Sequence, residues 1–410
     1  MTRPIGSDRS RMRRFRLLAL ANAITAFGSN LNMVALGLFT YQTTGSPLQT
    51  GAFMALRLGT GFVTGLFAGN TVARVPYKTV IVIANLVQAM AMVLLLVVPA
   101  TGVALYVVAV LTGVAGTMAA VALRSAVPSI VGQENRVQAN SLLVAGRSIA
   151  LIAGFAASGI IIAGLDYLGV FVINIAAFAL AGLIVLCLKL GSNQTATTER
   201  RWLASQATAL RYIRERPVIG GLIAIRTIIG IASATAGVAI PIYSSALDPQ
   251  RPEAFMGQFW TVWAVGNIAM QIGVARWARR TGRSVGTDVF IAAACVMSLA
   301  SIVVFTAWPL VFTLVAAVVT GAASGLAETA YQSRLQEAPD EQRGHLFGLS
   351  MTSENLGFAA GMLAAGTLLV TLSPLVVVGA VAVVSIVAAV GFRLSNRALS
   401  KEAERVEQPS

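Results

Sequence analysis

The sequence predicts an all-α membrane protein of twelve transmembrane helices in two pseudosymmetric six-helix bundles. Composition, the recurrence of apolar stretches and the placement of arginine predict it. Of 410 residues, 56% are hydrophobic and only 11% are charged, against roughly 25% charged in an ordinary soluble domain. So few charges cannot clothe a water-facing surface. Apolar stretches recur from Phe15 to Phe392, each near the length of about 20 residues that crosses a bilayer. Repetition on this scale excludes a soluble protein with one buried core helix.

The net charge of +14 would suit a nucleic-acid ligand, but the basic residues alternate with the apolar stretches as the positive-inside rule requires. Arg3, Arg9, Arg11, Arg13, Arg14 and Arg16 precede the first span, and Arg74 and Lys78 separate the second from the third. Arg200, Arg201, Arg211, Arg214 and Arg216 lie between spans six and seven, and Arg276, Arg279, Arg280 and Arg283 between eight and nine. Arg393, Arg397, Lys401 and Arg405 close the chain. The alternate joints, around Ser46, Thr101, Asp166, Trp308 and Ser373, carry no lysine or arginine; Arg251 is the exception. The pattern places both termini in the cytoplasm of a cell-membrane protein. Its partner is then the lipid bilayer, with no nucleic acid.

Breaks at proline, glycine and charge clusters set the spans at about 15–40, 48–70, 78–99, 104–127, 138–163, 167–189, 217–243, 255–276, 286–306, 309–333, 345–371 and 374–394. The first apolar stretch outlasts a signal peptide and shows no cleavage site, so it reads as a helix of the mature protein. Cys187 and Cys295 sit inside apolar spans and read as small hydrophobes. The one long polar insert divides the chain into a first bundle (1–190), a cytoplasmic linker (191–216) and a second bundle (217–410). Within the linker, Trp202 to Arg216 has the pattern of an amphipathic helix on the membrane surface. The halves echo each other: Arg136, Arg147, Gly154 and Gly159 match Arg343, Glu354, Gly361 and Gly366 at one constant offset, and Thr112-Gly113 matches Thr320-Gly321. Such internal repeats are common in transporters.

Three segments carry a likeness to a known family: Ala55-Leu56-Arg57; Pro128 and Val131 with Gln138-Ala139-Asn140-Ser141-Leu142; and Gln336, Pro339-Asp340-Glu341 and Arg343-Gly344. With them the chain resembles the major facilitator superfamily, in the branch of enterobactin-type siderophore exporters and macrolide efflux proteins, over nearly its whole length. The superfamily's loop after span two survives in part. Gly69, Arg74 and Lys78 fit, but Ala73 replaces an aspartate and Pro76 a glycine. After span eight Arg280-Thr281-Gly282-Arg283 is kept, with Arg279 at the aspartate position. The resemblance implies a cytoplasmic gate around Gly69, Arg74, Arg280 and Arg283. It also implies that spans one, four, seven and ten line a central cavity, with two beside eleven and five beside eight. The glycine-proline pair that drug antiporters of the family carry in span five is missing, although Gly146, Gly154, Gly159 and Gly164 are present.

Nothing in the sequence looks enzymatic. The lone histidine, His345, stands at a helix start, and no Cys, His or carboxylate cluster has ligand or triad spacing. No ATP-binding loop or other cofactor site is recognisable; Gly59, Gly61 and Gly65 read as helix-packing residues. The informative residues are charges inside spans, because a bare charge at the bilayer centre costs about 2.5–3.5 kcal/mol even on insertion scales. Arg57, Arg147, Arg226 and Glu354 all fall near mid-membrane depth and predict a shared cavity. On the resemblance Arg57 and Glu354 are neighbours across the bundle interface, with Arg147 and Arg226 opposite. They form either a structural ion pair or a proton-coupling pair, and both readings stand. Glu328 and Arg124, nearer helix ends, read as gate residues or solvated helix ends, with Glu328 also a second carboxylate for protons. Among neutral groups, Asn30, Asn267 and Gln271 are candidates to contact substrate, and Asn22, Asn32, Asn85 and Gln88 are further polar residues within spans.

The expected function is a secondary-active, proton-coupled exporter of a small organic molecule: siderophore-like, a secondary metabolite or a drug. Three mid-membrane arginines against one carboxylate favour an anionic substrate, with Arg57, Arg147 and Arg226 as candidate contacts to it. An importer or multidrug pump of the same fold stays open, as does a non-transporting sensor or lipid scramblase.

Overall fold

The computed structural model describes residues 5–98, 102–131, 135–188, 210–214, 216–283 and 285–407. Among them all regular structure is helical. The helices are α1 (Ile5–Thr44), α2 (Pro47–Arg74), α3 (Tyr77–Val97) and α4 (Gly102–Val131). Then comes a continuous run, Arg136–Cys187, divided at Asp166 into α5 (136–165) and α6 (167–187). The rest are α7 (Pro217–Leu247), α8 (Pro252–Thr281), α9 (Thr287–Val304), α10 (Leu310–Gln336), α11 (Asp340–Leu368) and α12 (Pro374–Glu407). The twelve expected helices are therefore present. Most of the linker lies outside the described residues, including the start of its expected amphipathic helix; residues 210–214 are helical. Among the described residues, nine helical stretches are long and apolar enough to cross a membrane. The α5–α6 run counts once there, and α8 and α11, rich in charged and polar side chains, are not among them.

The joints follow from residue chemistry. Prolines stand at or just before the first residue of α2, α3, α7, α8, α10, α11 and α12, where the missing N–H removes a donor that has no helical partner anyway. Ser46 also caps α2, its hydroxyl accepting from the Gln49 amide at 3.3 Å. Gly282, at φ 66°, ends α8 in the left-handed conformation, its amide donating to the Ala278 carbonyl at 2.9 Å. At Asp166 a non-glycine residue takes φ 56°, and its carboxylate accepts from the next amide, Tyr167, at 2.7 Å. Aspartate tolerates this geometry because its short side chain bonds locally. A single residue thus suffices where the sequence suggested a short break. Ala307, also at φ 56°, is held by its amide donating to the Tyr243 hydroxyl at 3.0 Å.

The chain divides into two compact units, residues 1–199 with 244–261, and residues 200–243 with 262–410. In the first unit α1 packs on the α5–α6 run, α2 on α4, and α3 on both α4 and that run. Its core holds Phe15, Leu18, Tyr77 and Ala126 towards one end, and Leu31, Phe53, Met92 and Phe178 towards the other. The start of α8 belongs to this unit and meets α5 through glycines: a Cβ on Gly159 would stand 3.3 Å from Gly257 Cα. In the second unit α9 packs on α10 and α12 around Leu222, Phe290, Met297, Ala327 and Tyr331.

Where lipid and core are equally apolar, small residues that permit close helix contact replace the hydrophobic effect as the organising force. That explains the sequence echo. A Cβ on Gly113 would lie 2.3 Å from the Arg57 carbonyl oxygen, and one on Gly321 2.0 Å from that of Trp263. The α2–α4 and α8–α10 contacts therefore use matched glycines. A Cβ on Gly154 would meet Asn30 Cβ and the Phe27 carbonyl, each at 2.9 Å; one on Gly361 would meet Ala234 Cβ at 3.1 Å and the Ile231 carbonyl at 2.6 Å. The same backbone contact thus recurs between α1 and α5 and between α7 and α11.

Candidate functional site

The second unit gathers three charged side chains from three helices. Arg226 on α7 uses one guanidinium nitrogen, Nη2, to donate to Oε2 of Glu328 on α10 and, at 2.6 Å, to Oε1 of Glu354 on α11. The side chains are 13%, 30% and 25% exposed, so the cluster is sheltered yet reachable by water or protons. Around it, Gln332 donates to the other oxygen of Glu328. The guanidinium lies over the Tyr331 ring, 5.6 Å from its centroid, and the Tyr331 hydroxyl shares a 2.6 Å hydrogen bond with Ser350. Arg226 Nε is buried without a hydrogen-bond partner.

Local packing puts these groups together. Gly357 and Gly361 follow Glu354 on one stripe of α11, and a Cβ on Gly357 would come within 2.8 Å of the Thr227 carbonyl on α7. Gly230, one turn beyond Arg226, faces the Phe358 ring and the Glu354 carbonyl, at 3.3 and 3.5 Å from a Cβ built there. Small residues on both helices let α7 and α11 approach until Arg226 reaches Glu354. On α10, Glu328, Tyr331 and Gln332 are spaced i, i+3 and i+4 and so share one face.

One guanidinium cannot neutralise two carboxylates. With both ionised the cluster carries one net negative charge, and a single proton on either brings it to zero. In a low-dielectric setting that difference is large.

Glu354 thus pairs with Arg226, where the resemblance suggested Arg57; the glycine stripe that brings α7 against α11 is the reason. Glu328, read as a gate or a helix-end residue, is a member of this ion cluster. Sequence reasoning missed Tyr331, Gln332 and Ser350, for which only the helical spacing from Glu328 gave a signal. Arg57, half-buried, stands on α2 where its backbone meets Gly113 of α4. Arg147 on α5 and Arg124 on α4 are exposed and close enough to interact electrostatically. Asn30 bonds back to the Ala26 carbonyl at 2.8 Å, and the side chain of Asn267 accepts from Gln271 at 2.7 Å. These amides are at least partly satisfied within their own helices. Of the gate residues, Gly69 lies in open space late in α2, and Arg74, Arg280 and Arg283 are exposed at or just beyond helix ends. The side chain of Ala73 lies outside the described residues.

Comparison with known proteins agrees with this architecture. The solved structure of the nucleoside transporter NupG superposes with a TM-score of 0.74 at 15% identity, covering 93% of this chain and 98% of that one. A point mutant of the same transporter gives 0.78 at 13% identity, covering 93% and 99%. A bacterial homologue of the human lysosomal transporter Spinster, solved inward-facing and unoccupied, gives 0.67 at 13% identity, covering 93% and 94%. At such identities the likeness is one of fold. No curated protein matches the chain by sequence. The family model of the Major Facilitator Superfamily matches residues 18–339, most of the chain, and the protein is a multi-pass membrane transporter that belongs to the major facilitator superfamily.

Proposed function

We propose that the protein is a proton-coupled exporter of a small organic molecule, working by alternating access between two six-helix bundles, 1–190 and 217–410, joined by the segment 191–216. The observation that carries the reading is Arg226 Nη2 shared between Glu328 and Glu354. A proton arriving at either carboxylate frees it from Arg226 and loosens the tie between α7, α10 and α11. Proton binding and helix movement are then linked reciprocally. No cofactor enters this scheme.

Purified protein in sealed vesicles, challenged with candidate substrates with and without an imposed pH difference, tests it. Proton-coupled export predicts substrate movement against its gradient towards the outward face, with protons moving the other way. Flux that ignores the pH difference removes the coupling. Gradient-driven accumulation in the opposite sense replaces export by uptake.

The alternation of basic joints supports cytoplasmic termini in a cell membrane. In a variant lacking Cys187 and Cys295, a single cysteine at exposed Gln250, in the α7–α8 turn, is expected to react with an impermeant thiol reagent in intact cells. One at exposed Arg283, after α8, is expected to stay unlabelled until the cells are opened. The reverse pattern inverts the topology.

A further inference from the structure

We propose that the transported molecule is an organic anion and that Arg124 and Arg147 of the first unit bind its acidic group, an inference that rests on the transporter reading above. Acidic residues are scarce in the first six helices, the remaining carboxylates of that unit's core segments being Asp248 and Glu253 at the α7–α8 turn. From Arg9 to Gln133 the sequence contains no acidic residue, and Glu134 and Asp166 are the only ones from there to Thr198. The helices α1 to α6 nevertheless hold Arg57, Arg124 and Arg147 within their lengths. Among the described residues none of these three guanidiniums has a hydrogen-bond or ion-pair partner, whereas Arg226 of the second unit has two carboxylates.

Arg124 and Arg147 are like charges close enough to repel each other. At 1.5 Å per residue they lie about 10 and 16 Å from the α4–α5 joint, so their Cα levels are about one helical turn apart, within the reach of two long side chains. Helical spacing turns both away from lipid. Arg147 shares its stripe with Gly154, packed on α1, and with buried Ser158. Arg124 shares the stripe of Gly113 and Thr117, which meet Arg57 and Gly61 of α2. Two exposed, mutually repelling, unpartnered guanidiniums inside a membrane domain are a standing demand for a negative charge. Their planar donor forks suit a carboxylate or a similar oxyanion. The repeat supports this division of labour: the counterpart of Arg147 is Glu354, already engaged by Arg226. Substrate charge is read in one unit, and the proton is handled in the other.

Thermal unfolding of the full-length protein in neutral detergent tests the proposal. The probes are 2-naphthoate and pyrene-1-carboxylate, each set against the methylammonium compound of the same ring. At least one anion is expected to stabilise saturably, and the cations are not. Arg147→Gln and Arg124→Gln should each weaken the anion about tenfold or more, the scale of a charge-assisted hydrogen bond. Arg147→Lys should retain most of the affinity. Without probe, Arg147→Gln should unfold no earlier than the unaltered protein, because it relieves repulsion; if it does not fold, Arg124→Gln carries the test. Equal stabilisation by the cations, no stabilisation by either anion, or anion binding indifferent to both substitutions overturns the proposal. So does dioctanoyl phosphatidylglycerol excluding the anions in an Arg147-dependent way, which assigns the site to a lipid headgroup. The two readings fail separately. An anion that binds through Arg147 but never crosses sealed vesicles defeats transport and leaves the site, while cations driven by a pH difference defeat the anion site and leave transport.

Discussion

Glu354→Gln is expected to abolish transport driven by a pH difference, by about a hundredfold or more, while exchange of substrate at equal pH continues. The argument is one of charge count. Ionised Glu328 and Glu354 around one Arg226 leave the cluster at minus one, and a glutamine at either position holds it at zero, the value that a bound proton would give. Glu328→Gln should therefore behave alike, because the two carboxylates share Arg226. Substrate can still drive the helices through their cycle, but nothing is left for a proton gradient to act on. The same charge count sets stability. Each single glutamine leaves a one-to-one pair, so unfolding temperature should hold or rise. The double change leaves Arg226 as an uncompensated charge among partly buried groups, at a cost of about 2–3 kcal/mol, somewhat below the figure for full burial. Arg226→Gln sets two carboxylates face to face, and at neutral pH one of them should keep its proton throughout the cycle. Gradient-driven transport fails there too. If either single glutamine leaves the response to an imposed pH difference intact, the cluster is not the coupling site.

The helices were legible because nearly every joint is written in residues that break or begin a helix: Pro76, Pro309 and Pro339 before a start, Pro374 at one, Gly282 after an end. Even the α5–α6 division, with no proline and no polar loop, was marked by Asp166. Arg226 and Glu354 stood out as well, because charge inside a long helix of mostly uncharged residues breaks the pattern around it. Their partnership was not. Which helix a charge faces depends on which helix packs beside it, and that is settled by contacts such as Gly357 on Thr227 and Gly361 on Ile231. Gly361 was visible as part of an echo, but a glycine in a sequence does not name the backbone it touches. Tyr331, Gln332 and Ser350 escaped notice for a related reason: nothing marks them until Glu328 is known to point at Arg226. In the other direction, the mid-span amide of Asn30 drew attention by polarity alone, and the structure ties it to the carbonyl one turn earlier in its own helix. A polar side chain in lipid must bond to something, and the nearest backbone carbonyl is often enough.

Gly321→Leu is expected to stop the protein accumulating in the membrane, and Gly113→Leu to do nearly the same. The atom in the way decides the size of the effect. A Cβ on Gly321 would sit 2.0 Å from the carbonyl oxygen of Trp263, and one on Gly113 2.3 Å from that of Arg57. Both obstacles are backbone within a helix and have no rotamer to swing aside, so α10 must move off α8, and α4 off α2, by more than an ångström. Such a shift forfeits the close packing that replaces the hydrophobic effect between membrane helices. Overpacking against movable side chains costs typically 1–3 kcal/mol, and a clash with fixed backbone over a whole helix contact should exceed it. Alanine at either position meets the same atom and should already lower the unfolding temperature by several degrees. Gly69 is the control, since nothing lies within 4 Å of a Cβ built there. Gly69→Ala should fold normally and gain up to about 1 kcal/mol of helix stability. Unfolding temperature and membrane yield can then be set against turnover. If Gly69 is a hinge of the gate, Gly69→Ala slows transport in a protein that is at least as stable as before, a combination that no packing defect produces. Gly321→Ala must instead lose stability first and activity only through it. Normal yield and stability of Gly321→Leu would mean that α8 and α10 do not meet at this glycine.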